Sequence, residues 1–467
     1  MSDKKKRSKK RTGLCREDRP ILESSAAGID VGAREMFVAV PPDRDGNPVR
    51  VFGTFTEDLH QLADWLAACR ITTVAMESTG VYWIPLYDIL EGRGLKPCLV
   101  NARHMKNVPG RRTDWHECQW LQYLHSVGLL RSAFRPQAEV CAVRVLVRHR
   151  DELVQMASQQ VQHMQKALTQ MNLQIHHVIS DITGLTGLAI VDAILAGERD
   201  GAELARLCDA RIKATAETIS KSLVGNWRPE HLFTLKQSRE LYRSCQQRIV
   251  ECDEEIEKLL AGFAPRVDPA EKPLPPDRKR NRSAAKRRKK NGNPPNGFDL
   301  RTEAYKLFGV DVTQIPGVET IALPLFSEIG RDMSRWPAAA HFASWLALCP
   351  DNDISGGRVL WKGIRKIKNR AGQLFRLAAH SLHRSPTPMG DYLRRMKAKL
   401  GPAPATTATA HKIAIIFYTM VKNQIEYDES IWATRDAERQ KRLQLRLKRQ
   451  AERLGYRLVP LEDSSAA

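Results

Sequence analysis

The most restrictive feature of this chain is the order of patterns between residues 26 and 100. Three short apolar runs come first, AAGIDV, MFVAV and VRVFGTF, with the turn-rich PPDRDGNP before the third. The stretch EDLHQLADWLAACR then has helical spacing, with Leu59, Leu62, Leu66 and Cys69 on one face. ITTVAME reads as a buried strand, VYWIPLYDILEGRG as a helix closed by glycine, and KPCLV as a further strand. Elements in that order must bury their apolar faces on one another. An α/β layer is the economical solution.

The pattern then changes. Val154, Ala157, Val161, Met164, Leu168, Met171, Ile175 and Val178 are spaced alternately three and four apart. Tyr242, Cys245, Ile249, Cys252, Ile256, Leu259 and Phe263 form a second such seam. Both predict coiled-coil helices, paired within one chain or between chains. A helical segment is expected between them, near residues 188–222. The fold class expected is multi-domain, α/β followed by all-α. A disordered basic tail covers 1–25, the α/β domain 26–137 and the helical coiled-coil segment 138–264. A disordered basic linker covers 265–299, a mainly helical C-terminal domain 300–427, and a basic helical tail 428–467.

Charge bears on partners. Lys and Arg number 74 against 53 Asp and Glu, a net charge of +21 in 467 residues. Sixteen basic side chains lie in just two tracts, KKKRSKKR at 4–11 and RKRNRSAAKRRKK at 278–290. A phosphate-rich partner is the natural reading, because each Lys or Arg replaces a condensed counterion. The plain alternative is a solubilising tail and linker. Hydrophobic residues make up 42% of the chain, enough for real cores, so a wholly disordered protein is excluded. No window approaches the ~18–20 apolar residues of a membrane span, and the basic start has no apolar segment behind it, unlike a secretory signal. Nine scattered cysteines without a CxxC pair predict neither a disulfide framework nor a structural zinc site, but a reducing cytoplasm.

Four carboxylates stand at informative places. Asp30 ends the first strand, in GIDVG, and Glu77 ends the fourth, in VAMESTG. Asp114 and Glu117 sit three apart in RRTDWHECQWLQYL, which puts both on one face of a helix. Acids at adjacent strand ends facing a helix with two more suit Mg²⁺, which keeps waters and takes substrate phosphate as a ligand. Two ions ~3.5–4 Å apart can clamp the attacking and leaving oxygens of a phosphodiester. Singly, each residue has an ordinary reading. Asp114 could N-cap the helix, with Glu117 completing a capping box. The order along the strand pattern is more selective and is similar to RNase H-like nucleases. Trp115 and Trp120 are either base-stacking residues or core aromatics.

Further on, DNDISGGR places Ser355 before Gly356, Gly357 and Arg358. Glycines let backbone approach a phosphate closely. Lys362, Lys366 and Arg370 lie four apart, one positive face if a basic helix runs from about Lys362 to Arg384. A serine hydroxyl beside such a face could attack a phosphodiester. The alternative is a polar turn next to a nucleic-acid-binding helix. Arg111 and Arg112, with Gly356, Gly357, Arg358, Lys362, Lys366 and Arg370, are the candidate nucleic-acid contacts. IPGV at 315–318 reads either as a hairpin-type phosphate contact or as a plain helix start.

Taken jointly, these pieces resemble insertion-sequence transposases of the IS110 (IS-one-ten) family, nearest its IS-eleven-eleven branch. The matching segments are GIDVG, AMESTGVYW, TDWHECQWLQYLHSVGLL, SAFRP, TGLAIVDAILAGERD, IPGVETIALPLFSEIG and FASWLALCPDNDISGG with KGIRKIKN, in the family's order. The resemblance implies an N-terminal RuvC-like (RNase H-like) domain, a coiled coil used in assembly, and a C-terminal transposase domain. It maps four metal-ligating acids onto Asp30, Glu77, Asp114 and Glu117, the last commonly Asp in the family, and a nucleophilic serine onto Ser355. It implies Mg²⁺, two ions, and a homo-oligomer acting on donor and target DNA. It further implies an element-encoded bridge RNA that carries sequence choice, and a bacterial, nucleoid-associated setting. Two other classes compete. A metal-dependent junction-resolvase-like nuclease needs the acids but not Ser355. A non-catalytic nucleic-acid-binding protein needs neither.

Overall fold

The computed structural model describes residues 19–78, 80–101, 113–277, 295, 297–361, 363 and 369–457. The basic tracts at 4–11 and 278–290, Arg111, Arg112, Lys362 and Lys366 lie outside the described residues. The chain divides into two compact units, one ending at Arg135 and the other beginning at Pro136.

The first unit is a five-stranded sheet with helices on both faces. Strands β1 (Ala26–Val31), β2 (Glu35–Ala39) and β3 (Val49–Gly53) form an antiparallel meander. β4 (Thr73–Glu77) and β5 (Lys96–Val100) add in parallel on the other side of β1, giving the order β3-β2-β1-β4-β5. This is the RNase H-like topology expected. Helix α1 (Thr56–Ala68) makes the crossover to β4, and α2 (Trp83–Gly92) the one to β5. Leu59, Leu62, Leu66 and Cys69 are buried as their spacing predicts.

Strand alternation makes the two faces of the sheet unlike. Ala27, Ile29 and Val31 point into one core, with Met76 and with Leu62, Leu66, Leu86 and Leu90 of α1 and α2. Each large aliphatic side chain buried there contributes about 1.5–3 kcal/mol. Gly28 points the other way. In register beside it stand Ala39 of β2 and Ala75 of β4, so a row of small residues crosses three strands. Helix α3 (Asp114–Ser126) lies on that row. Its Cys118 packs on Ala39, and its Leu121 and Leu124 on Ala75. Residues just before β1 belong to the same unit: the Leu22 and Glu23 amides donate to the carbonyl of Ser126.

In the second unit, α4 (Ala138–Gln170) and α8 (Pro229–Ala261) run antiparallel along each other. The two heptad seams therefore pair within the chain. The first seam begins earlier than read, at Val140, Val143 and Val147. It also ends earlier: α4 stops at Gln170, and Ile175 lies in a separate 3-10 turn, Ile175–His177. Asn172, with φ +57°, breaks the helix there. The segment between the long helices is three short ones, α5 (Leu185–Ala196), α6 (Gly201–Arg206) and α7 (Ala216–Ser222).

The rest of this unit packs α9 (Leu300–Phe308), α10 (Ala322–Ile329), α11 (Ala339–Trp345), α12 (Arg370–Ser381), α13 (Pro388–Leu400) and α14 (Pro402–Asn423). Their core is a nest of fully buried rings, Phe308, Phe326, Phe342, Phe375 and Phe417. IPGV is part of this packing. Ile315, Pro316 and Val318 are buried, and a Cβ on Gly317 would stand 2.6 Å from the Ala378 carbonyl. The stretch expected as linker is fixed over its first residues. The Arg266 amide donates to the Lys306 carbonyl at 2.8 Å, and Arg301 donates to the Pro275 carbonyl. Helix α15 (Ser430–Arg453) follows as the expected basic helix. Among the described residues no helix is long and apolar enough to cross a membrane.

Candidate active site

Register places the first two acids. Ile29 of β1 pairs with Met76 of β4, which brings the following residues, Asp30 and Glu77, side by side at the C-terminal ends of parallel strands. Both point to the α3 face, one side-chain repeat beyond the small row of Ala39, Gly28 and Ala75. Glu77 is only 9% exposed.

Helix α3 supplies the third acid. A Cβ on Gly28 would stand 2.3 Å from the Gln122 amide nitrogen and 2.4 Å from the Cys118 carbonyl oxygen. The bare glycine is what lets the helix backbone rest on the strand. Gln122 fastens it further, donating to the Ala26 carbonyl at 3.2 Å. At that depth Glu117, in the helix's first turn, faces the strand ends. One carboxylate oxygen each from Asp30, Glu77 and Glu117 lies within 4.8 Å of the others.

An octahedral Mg²⁺ with Mg–O bonds of about 2.0–2.1 Å needs ligand oxygens about 2.9–4.2 Å apart. The three converging oxygens lie within 4.8 Å of one another, near that spacing, and all are hard carboxylate donors of the kind such an ion takes, with positions left for water and phosphate. Among the described residues no soft ligand joins the group. The thiol of Cys118 lies beneath, donating to the Trp115 carbonyl, and burial with the nearby Asp30 and Asp114 charges pushes its pKa up to about 12. It stays a neutral thiol.

Asp114 is not brought into this group. Thr113 is the helix N-cap, its side chain accepting from the His116 amide, so the capping role considered for Asp114 belongs to Thr113. Asp114 is exposed at the first helical position, one turn beyond Glu117 on the same face. Trp120 packs in the core and stacks on Tyr123, whereas Trp115 is 40% exposed. Sequence reading missed Gly28. A glycine inside an otherwise apolar strand was the available signal, since it marks close approach of another backbone.

In the second unit, Ser355 ends β6 (Asp353–Ser355), which pairs with β7 (Arg358–Trp361). Gly356 and Gly357 form the two-residue turn with φ +56° and +76°, left-handed values that match a type I′ hairpin. Ser355 faces Arg358 directly across the ribbon, and the whole ribbon tip is exposed. The basic helix expected from about Lys362 is described only from Arg370 onward, since Lys362 and residues 364–368 lie outside the described residues. β7 runs through Trp361, and the helix α12 starts at Arg370 behind its N-cap Asn369, whose side chain accepts from the Gly372 amide at 2.8 Å. Strand pairing on one side and the Asn369 cap on the other fix that start. Arg370 is exposed in the first turn.

Comparison with known families gives two matches, the first of which runs past Arg135 into the second unit. A family model described as a transposase, of the DEDD IS110 type, matches residues 27–173. A second, described as the transposase IS116/IS110/IS902 family, matches residues 311–393. The first span contains all four candidate acids, the second Ser355. No curated protein matches the chain in sequence.

Proposed function

The chain belongs to the IS110 transposase family, enzymes that cut and rejoin DNA, and on that premise we propose that it mobilises its own element by serine chemistry assisted by Mg²⁺. The observation that carries the reading is the convergence of Asp30, Glu77 and Glu117 from two strands and a helix to within 4.8 Å. A divalent ion held there supplies charge neutralisation at a scissile phosphate. Asp114, one turn away on the same helix face, would join the ligands of a second ion.

Ser355 is the proposed nucleophile. Its hydroxyl at an exposed ribbon tip, beside two side-chain-free residues, gives a phosphodiester backbone room to approach. Attack at phosphorus forms a serine–phosphate ester and releases a DNA hydroxyl. Rejoining reverses this, the incoming hydroxyl expelling the serine. Arg358 across the ribbon and Arg370 would offset phosphate charge, with Gly356 and Gly357 against the backbone. Arg111, Arg112, Lys362 and Lys366 are further proposed contacts. The charge excess suits an element-encoded bridge RNA together with donor and target DNA, handled by a homo-oligomer at the bacterial nucleoid.

The test is a recombination assay on the element's ends and a target, with and without the flanking RNA, comparing wild type, Ser355→Ala and Glu117→Gln. The reading expects junction products and a protein–DNA adduct only from wild type with RNA. Full cleavage by Ser355→Ala would transfer the chemistry to the acids alone, as in a junction nuclease.

A further inference from the structure

We propose that the C-terminal helix α15 is a docking arm for duplex DNA, separate from both candidate catalytic groups. The argument starts from spacing. Arg442, Arg446, Arg449 and Arg453 follow one another at intervals of four, three and four, which on a helix makes a single stripe. Together with Leu445 and Gln450 they line one continuous surface depression. All four arginines are exposed, and none forms an ion pair with a described residue. Exposed arginines elsewhere on this unit do pair, such as Arg206 with Glu203 and Arg211 with Asp209. Like charges three and four apart repel, so an unpaired stripe is unfavourable in the free protein and is relieved by a polyanion.

Shape selects among polyanions. A helix with its side chains is about 10–12 Å across, which matches the ~12 Å major groove of B-form DNA. The deep, narrow major groove of A-form RNA does not admit it. The stripe is about 16 Å long, with guanidinium groups about 5 Å apart along the axis, so it spans the rise of about five base pairs. Gly455, at φ +78°, ends the helix just past Arg453. Self-association is the weaker use of this helix. Leu443, Leu447 and Leu454 are exposed, but they fall short of the three or more heptads of a coiled coil.

The inference needs neither Ser355 chemistry nor a guide RNA, and its test reads binding alone. Full-length protein is titrated onto a fluorescent 30-base-pair DNA of arbitrary sequence across a salt series. The comparison variant carries Arg442→Gln, Arg446→Gln, Arg449→Gln and Arg453→Gln together. Each phosphate left without its arginine lowers the salt slope by about 0.9, so the expected slope is shallower by about three to four, with affinity at least tenfold weaker near 0.1 M salt. Binding to a 30-base-pair RNA duplex should weaken less than binding to the DNA. Leu443→Ser with Leu447→Ser should bind as wild type. Melting temperatures should not change, because these side chains pack on nothing. An unchanged DNA slope, a larger effect on RNA, a lowered melting temperature, or an effect confined to the leucine variant with a fall in molecular mass would each overturn the proposal.

Discussion

Gly28 and Gln122 are in backbone contact: a methyl group on the glycine would sit 2.3 Å from the Gln122 amide nitrogen. The helix bearing Glu117 is thus seated by the absence of a side chain more than a helical turn away from the acid. Gly28→Val is expected to lift α3 and Glu117 with it, destabilise the first unit by about 2 kcal/mol and abolish metal binding although no carboxylate is mutated. Calorimetric titration with Mn²⁺ checks this. Wild-type affinity in Gly28→Val would show that α3 is not held to this depth.

The acids should not be equivalent. Asp30→Asn, Glu77→Gln and Glu117→Gln each remove one of three converging ligands. Outer partners of a metal site are alone worth about 10–100-fold, so losing a direct ligand should cost at least about 100-fold in metal-dependent cleavage. Asp114→Asn should weaken ion binding less than Glu117→Gln. Isothermal titration of the four variants gives the order, and an Asp114 effect as large as that of Glu117 would contradict it.

Arg150 and Asp253 form a buried bidentate pair between α4 and α8, with Asp253 fully buried. Asp253→Ala leaves an uncompensated guanidinium and should destabilise the second unit by about 3–5 kcal/mol. The double change Arg150→Met with Asp253→Leu should restore most of that, since a well-packed apolar pair avoids the desolvation cost. Urea unfolding of the three proteins tests it. A double variant no more stable than the single one would mean that the ion pair itself holds the register.

Burial lowers the pKa of His125, partly offset by Glu23, while its ring meets the Thr73 hydroxyl at 2.8 Å. A folded value below the unfolded one, about 6.5, means that the unfolded chain takes the proton first as pH falls. Stability is therefore complete above that value and declines as pH drops through it. His125→Gln should flatten the melting-temperature profile between about pH 7.5 and 5.5. Parallel profiles for the two proteins would refute the assignment.

Much of the first unit was legible because its strands and helices differ in period and each buries one face, as Leu59, Leu62 and Leu66 do. The helix partner of the seams was not legible. Heptads state that a helix has a partner but not which one; here α4 and α8 pair within the chain, with Arg150 and Asp253 meeting between them. Near the serine the ribbon was legible in ISGGRVLW, a two-glycine turn between β-branched residues, yet it went unread beside the helical spacing of Lys362, Lys366 and Arg370. Of the four acids read from the sequence, Asp30, Glu77 and Glu117 converge and Asp114 does not, and the depth at which they meet was not legible. Depth depends on Gly28, and strand patterns assign no weight to a missing side chain.

The row of Ala39, Gly28 and Ala75 has a consequence for how such a site drifts over generations. Its central position is already at the lower limit of side-chain size, so mutation there runs in one direction only, toward a wider gap. A lineage that enlarges Gly28 cannot recover by adjusting the acids, because Asp30 and Glu77 are fixed to the sheet and Glu117 to the helix. Reversion alone restores the depth at which the three acids converge, so the floor of the site acts as a ratchet.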